Sequence, residues 1–173
     1  MGLVRAPTRA VAAVIRAGVA HQVHQVGHDA TVTAYGQEAA AALDVEPERV
    51  FKTLVASVGG SLLVAVVPVT GELDLKVLAA ASGSKTAEMA DPSTAERWTG
   101  YVVGGISPIG QKRRLPTVID ESATKWGTIF VSGGRRGLEI ELAPADLARL
   151  TAGRFAPIGK QNTKAHQRVM RPQ

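Results

Sequence analysis

Val50-Phe51-Lys52-Thr53-Leu54-Val55-Ala56-Ser57-Val58-Gly59-Gly60-Ser61-Leu62-Leu63-Val64-Ala65-Val66-Val67-Pro68 is the stretch that decides the fold. Two runs rich in β-branched residues, 50–58 and 62–67, flank Gly59-Gly60. A glycine pair supplies the positive φ angles that a tight hairpin turn needs. Pro68 closes the second run because it has no N–H to give to a ladder. An antiparallel hairpin is predicted.

Working outward toward the N-terminus, a helix follows Pro7, with Val11, Val14, Ile15 and Gly18 at helical spacing and Gly18 ending it. Residues 19–26 read as a strand and 36–43 as a short alanine-rich helix. Toward the C-terminus, Asp74 is placed to cap a helix running to Ala81, with Gly83 just beyond. Asp91-Pro92 opens another helix toward Gly100. Strands are predicted at 101–106, 117–120, 128–131 and 138–142, and a last helix from Pro144 to Leu150. Helices scattered among hairpin-linked strands lack the regular rhythm of a doubly wound fold. The expected class is α+β, a mixed and largely antiparallel sheet covered by helices.

At 173 residues and 45% apolar content, the chain has material for one core. One domain is expected over residues 1–158, followed by a basic tail, 159–173, which carries Lys160, Lys164, Arg168 and Arg171 with no acid and reads as weakly ordered. Cysteine is absent, which excludes disulfides, thiolate metal sites and a cysteine nucleophile, and points to the cytoplasm. The N-terminal residues lack a long apolar region, and no run approaches the ~20 apolar residues that cross a bilayer. No membrane association is expected.

A net charge of +5 favours a polyanionic partner, because neutralised phosphates release counterions. The charge is concentrated in Lys112-Arg113-Arg114 and in Arg135-Arg136, each following a glycine-rich segment.

Several residues bear on chemistry. Lys52 interrupts an apolar strand on the same face as Val50, Leu54 and Ala56, so its ammonium needs a phosphate, a carboxylate or a substrate oxygen, unless it snorkels from a strand end. Val103-Gly104-Gly105-Ile106-Ser107-Pro108-Ile109-Gly110 allows a backbone to approach a ligand and offer N–H groups to an oxyanion; a plain turn is the alternative. Val131-Ser132-Gly133-Gly134-Arg135-Arg136-Gly137 could clasp a phosphate or be a hairpin with a basic tip, but it lacks P-loop spacing. His21 and His24 project to opposite faces of a strand and cannot share an ion; with His28 they give no metal site. Asp120-Glu121 and the Glu139/Glu141 pair are the available carboxylates. Glu139 and Glu141 oppose Leu138, Ile140 and Leu142, which predicts a solvated outer face for them.

Phe51-Lys52-Thr53-Leu54, Gly104 to Gly110 and Val131 to Ile140 stand in one order together with Gly71-Glu72-Leu73-Asp74-Leu75-Lys76, Glu88-Met89-Ala90-Asp91-Pro92, Thr99-Gly100-Tyr101 and Gln111-Lys112-Arg113-Arg114-Leu115-Pro116-Thr117. In these segments, over roughly residues 7–158, the chain resembles the YbaK/EbsC family. Its members are free-standing relatives of the editing domain inserted in bacterial prolyl-tRNA synthetases, and the likeness is greatest to the branch acting on cysteinyl-tRNA(Pro).

The resemblance implies a barrel-like sheet, no cofactor, no metal and hydrolysis of the aminoacyl ester of mischarged tRNA(Pro). Lys52 matches the family's essential lysine, which holds the terminal adenosine; Gly104 and Gly105 join it as the implied catalytic positions. Ile106, Ser107 and Pro108 match the loop lining the aminoacyl pocket, Ser132, Gly133 and Gly134 the loop at its rim, and Tyr35 and Thr53 further pocket positions. Lys112, Arg113, Arg114, Arg135 and Arg136 are the implied tRNA contacts. Prolyl-tRNA synthetase is the candidate second partner, and DNA is not expected. One departure is Val26-Gly27-His28-Asp29, where close relatives have Tyr-Glu-His-Asp, so a pocket phenol is lost. For cysteine the substrate's thiol is the implied attacker; alanyl-tRNA(Pro) cleaved by water, a non-catalytic tRNA- or synthetase-binding module, and a small-ester hydrolase are the alternatives.

Overall fold

A computed structural model describes residues 6–27 and 35–161. The central hairpin is β2 (Phe51–Val58) and β3 (Ser61–Pro68), paired in register from Phe51↔Pro68 to Val58↔Ser61. Gly59 and Gly60 turn the chain with φ of 57° and 85°, a conformation that side chains resist.

Before the hairpin lie α1 (Arg9–Ala17), β1 (His21–Gln25) and α2 (Tyr35–Leu43). After it come β4 (Gly71–Leu73), α3 (Leu75–Ala81), β5 (Ala87–Met89), α4 (Pro92–Thr99), β6 (Thr117–Asp120), β7 (Ile129–Ser132), β8 (Leu138–Leu142), α5 (Pro144–Thr151), β9 (Arg154–Ala156) and β10 (Gly159–Gln161). The helix ends follow their punctuation. Thr8 Oγ1 accepts from the Val11 N–H, Gly18 closes α1 at φ 68°, and Asp74 accepts from the Val77 N–H at the start of α3.

The hairpin anchors a five-stranded sheet of order β5-β2-β3-β6-β9, in which β3, β6 and β9 run parallel and the other pairs are antiparallel. An antiparallel sheet β1-β8-β7 packs beside it, and β10 pairs with β4. A single parallel bridge, Val50↔Phe130, links β7 to the entrance of β2. The class is the α+β one expected, but the strands fall into separate sheets rather than one closed barrel.

Period two sorts the side chains. Phe51, Val55, Val64, Val66 and Ile119 meet Val131, Leu138, Ile140 and Leu142 of the antiparallel sheet, with Val11 and Val14 of α1 and Leu147 of α5. Ala56, Val58, Ala65, Val67 and Val118 face the other way, onto Leu78 of α3. A smaller cluster packs Ala39 and Ala40 of α2 on Val50 and Phe130.

Residues 101–106, expected as a strand, form a loop. Gly104 takes φ 96°, the Gly105 N–H closes a turn on the Val102 carbonyl at 2.9 Å, and Val102 and Val103 stand in solvent. High β propensity finds no partner strand there, and the turn wins. The tail also differs from expectation: its first residues, Gly159–Gln161, make strand β10. Buried Asp120 accepts from the Gly159 N–H at 2.7 Å and fixes that entry. Every residue of β10 is exposed, so no apolar alternation announces it.

Candidate active site

Strand β5 is short and pairs only with Ala56–Val58, so the β5 side of β2 from Phe51 to Leu54 carries no strand partner among the described residues. Beside that bare edge opens a cavity of about 730 Å³. Its walls come from β2, the first turns of α2, the tip of the 101–106 loop, the β7–β8 connection and β4. That size suits a small ligand rather than a polymer.

Of the residues singled out from sequence, Lys52, Thr53, Gly104, Ile106, Ser132 and Arg136 line this cavity. Burial lowers the Lys52 pKa, and the Glu72 carboxylate of β4 opposes the shift. Both side chains are on the wall. Thr53 presents a buried Oγ1 with no hydrogen-bond partner among the described residues.

The two glycine loops interlock behind the wall. A Cβ on Gly105 would lie 2.8 Å from Arg135 Cα and 2.9 Å from Arg136 N, so only glycine lets the loops touch. Ser132 Oγ donates to the Gly105 carbonyl at 3.1 Å, and Thr8 Oγ1 donates to the Gly133 carbonyl at 2.6 Å. The Tyr101 ring packs against Gly134, and its hydroxyl donates to the Ile109 carbonyl at 2.6 Å.

The sequence expectation changes in several places. The Gly105 N–H is engaged by Val102 and offers nothing to a ligand, whereas the Gly104 N–H has no acceptor among the described residues. Ser107 is fully buried, and its Oγ accepts from the Ile109 N–H; Ser107, Pro108, Gly133 and Gly134 shape the loops without lining the cavity. The side chain of Tyr35, like His28 and Asp29, lies outside the described residues.

The basic clusters also divide. Arg136 Nη2 is 2.9 Å from Glu38 Oε2, both side chains about one-fifth exposed at 20% and 18%, which ties α2 to the β7–β8 connection. Arg114 donates to the Leu150 carbonyl, Arg113 stacks on the Trp98 ring at 4.5 Å, and Lys112 and Arg135 are exposed.

Glu139, read from sequence as solvent-facing, lines the cavity, and burial pushes its pKa up to about 7. Alternation on β8 is obeyed, but α2 and the start of β2 cover its second face, so the face opposite the core is not solvent. On the same face, Glu141 meets His24 at 3.0 Å, Thr128 Oγ1 at 2.6 Å and Arg49 at 3.7 Å. Burial raises its pKa, but these partners outweigh burial and hold it below the usual range. Glu38 and Glu72 are cavity residues that no local pattern marks; their signal is tertiary.

Known proteins share the sequence and the fold. A protein of Enterococcus faecalis, EbsC, a proposed Cys-tRNA(Pro)/Cys-tRNA(Cys) deacylase, is 48% identical over 124 residues, covering 70% of this chain and 75% of that one. Two crystal structures share the fold, each with a TM-score of 0.79: a proposed trans-editing enzyme for prolyl-tRNA synthetase, 24% identical over 88% of this chain and 95% of its own, and protein APE2540, 23% identical over 88% and 100%. Residues 28–150 match the aminoacyl-tRNA editing domain, and the chain belongs to that family.

Proposed function

We propose that this protein is an aminoacyl-tRNA deacylase that acts in trans on mischarged tRNA(Pro), with cysteine as the favoured amino acid. The observation that supports this reading is the cavity itself, whose lining includes Lys52, Gly104 and Glu139. Lys52 holds the oxygens of the terminal adenosine, and the Gly104 N–H receives the charge that develops on the ester carbonyl oxygen. The Glu139 carboxylate pairs with the α-ammonium of the aminoacyl group.

Of the cavity hydroxyls among the described residues, Ser132 Oγ donates to the Gly105 carbonyl and Thr53 Oγ1 is buried. We therefore assign the attack to the substrate. The cysteinyl sulfur bonds to its own carbonyl carbon, the ribosyl oxygen leaves and takes the thiol proton, and water opens the thiolactone. Positioning is the protein's contribution. Alanine lacks the thiol and requires water. Fit alone separates side chains differing by one methylene by only about 1–3 kcal/mol, so thiol reactivity adds the needed selectivity. Arg135, Lys112, Arg113 and Arg114 are the proposed tRNA contacts, with Arg136 bound to Glu38 as a positioning group. Prolyl-tRNA synthetase is the proposed second partner.

The test is single-turnover hydrolysis of charged tRNA(Pro) by wild type and Lys52→Ala. Cleavage lost in a folded variant supports the enzyme; tRNA binding by wild type without any cleavage leaves a binding module.

A further inference from the structure

On the deacylase reading the cavity holds an aminoacyl nucleoside, the tRNA attached to it must leave across one rim, and the rims differ. On the β7–β8 side Arg136 is bound to Glu38, which leaves Arg135 as the exposed cation of that loop. On the α4 side the surface is built otherwise. The chain from Trp98 to Val103 leads from a basic ridge directly to the cavity wall, which Val103 lines.

The ridge is compact. The position of a Gly100 Cβ is 3.1 Å from Lys112 Cβ and 3.6 Å from Arg9 Nη1, so those two cations flank one glycine. The Lys112 N–H donates to the Thr99 carbonyl and the Arg113 N–H to the Trp98 carbonyl, which lays the 112–113 segment along the end of α4. Arg113 then stacks on Trp98 at 4.5 Å. Arg9, Lys112 and Arg113 are all exposed.

Between ridge and cavity stand Val102 and Val103, 71% and 51% exposed. Exposed valines on a loop are unremarkable singly. Here the loop is braced to hold both outward: Tyr101 is buried beneath with its hydroxyl on Ile109, the Glu96 carboxylate accepts from the Val103 N–H at 2.9 Å, and the Gly105 N–H closes on Val102. The Val103 N–H thereby engages the Glu96 carboxylate.

Resting on the deacylase reading, we propose that the unpaired 3′ strand of the tRNA leaves the cavity over Val102 and Val103 and lays its phosphates on Arg9, Lys112 and Arg113. Apolar shelves beside cations suit single-stranded nucleic acid, where bases contact the shelf and phosphates the charge.

The experiment measures affinity for uncharged tRNA(Pro) across a salt series. Three double variants are compared: Lys112→Gln/Arg113→Gln, Val102→Ser/Val103→Ser, and Lys85→Gln/Arg154→Gln as a charge-matched control at the far, Gly59 end of the hairpin. Loss of two phosphate contacts lowers the salt slope by roughly 1.5 and the affinity by about tenfold at moderate salt. The valine pair lowers affinity severalfold with the slope unchanged, and the control behaves as wild type. If the ridge and valine variants match the control while wild type still cleaves cysteinyl-tRNA(Pro), the path is wrong and the deacylase stands. If wild type neither binds nor cleaves tRNA, the deacylase reading fails and the path with it.

Discussion

Gly105 lies so close to Arg135 that a Cβ on the glycine would stand 2.8 Å from the arginine Cα. The atom in the way is backbone, which cannot swing aside, so the two cavity loops keep their spacing only while residue 105 has no side chain.

Gly105→Ala is therefore expected to cost about 1–3 kcal/mol of stability and to displace the 101–106 loop from the wall. Because displacement of about 1 Å from a reactive geometry can cost ~100-fold, deacylation falls by at least tenfold. Gly127→Ala, where a Cβ would meet nothing within 4 Å, changes neither. Urea unfolding and single-turnover rates on both variants check this; equal behaviour would show that the loops yield.

Glu139 gives a pH prediction. Its folded-state pKa, about 7, lies above the ordinary carboxyl value of 4.5, so the folded protein binds this proton more tightly than the unfolded chain does. The associated stability is fully present below pH 4.5 and is lost as pH rises through 7. Glu139→Gln removes the ionisable group and raises stability at pH 8.5 by about 1–3 kcal/mol, with a smaller gain at pH 5.5. The same variant weakens cysteinyl-tRNA(Pro) binding by losing the ammonium partner. Denaturant midpoints at the two pH values decide it, and an equal difference at both would place Glu139 in solvent.

The ion pair of Glu38 and Arg136 joins α2 to the β7–β8 connection. Glu38→Gln and Arg136→Gln should each cost about 1–2 kcal/mol and, combined, cost less than their sum, because removing one partner leaves the other partly buried. Additive losses in a double-mutant cycle would mean that the pair does not couple.

Much of the fold is legible in the sequence because its signals are local. Gly59-Gly60, the Gly18 stop, the Asp74 cap and the alternation of β8 each act within a few residues, and the structure follows them. The three-residue strands β4, β5, β9 and β10 carry no such pattern; their pairing depends on distant partners, as Gly159 does on Asp120. Residues 101–106 mislead because Val102 and Val103 have strand propensity but no strand beside them. Lys52 is conspicuous as a charge in an apolar run, and the cavity contains it. Glu139 is hidden for the opposite reason: its alternation predicts the face correctly, while what covers that face is decided by α2, more than ninety residues earlier in the chain.

The central claim is that the cavity around Lys52 deacylates mischarged tRNA(Pro) and prefers cysteine. The most direct measurement is the hydrolysis rate of cysteinyl-, alanyl- and prolyl-tRNA(Pro) by wild type and by Lys52→Ala, with circular dichroism showing that the variant is folded. The account predicts that cysteinyl-tRNA(Pro) is consumed fastest, that prolyl-tRNA(Pro) is spared, and that Lys52→Ala loses at least ~100-fold in rate, the loss expected when the reacting ester is held about 1 Å out of place. Undiminished cleavage by folded Lys52→Ala, or cleavage of prolyl-tRNA(Pro) as fast as the cysteinyl form, would contradict it.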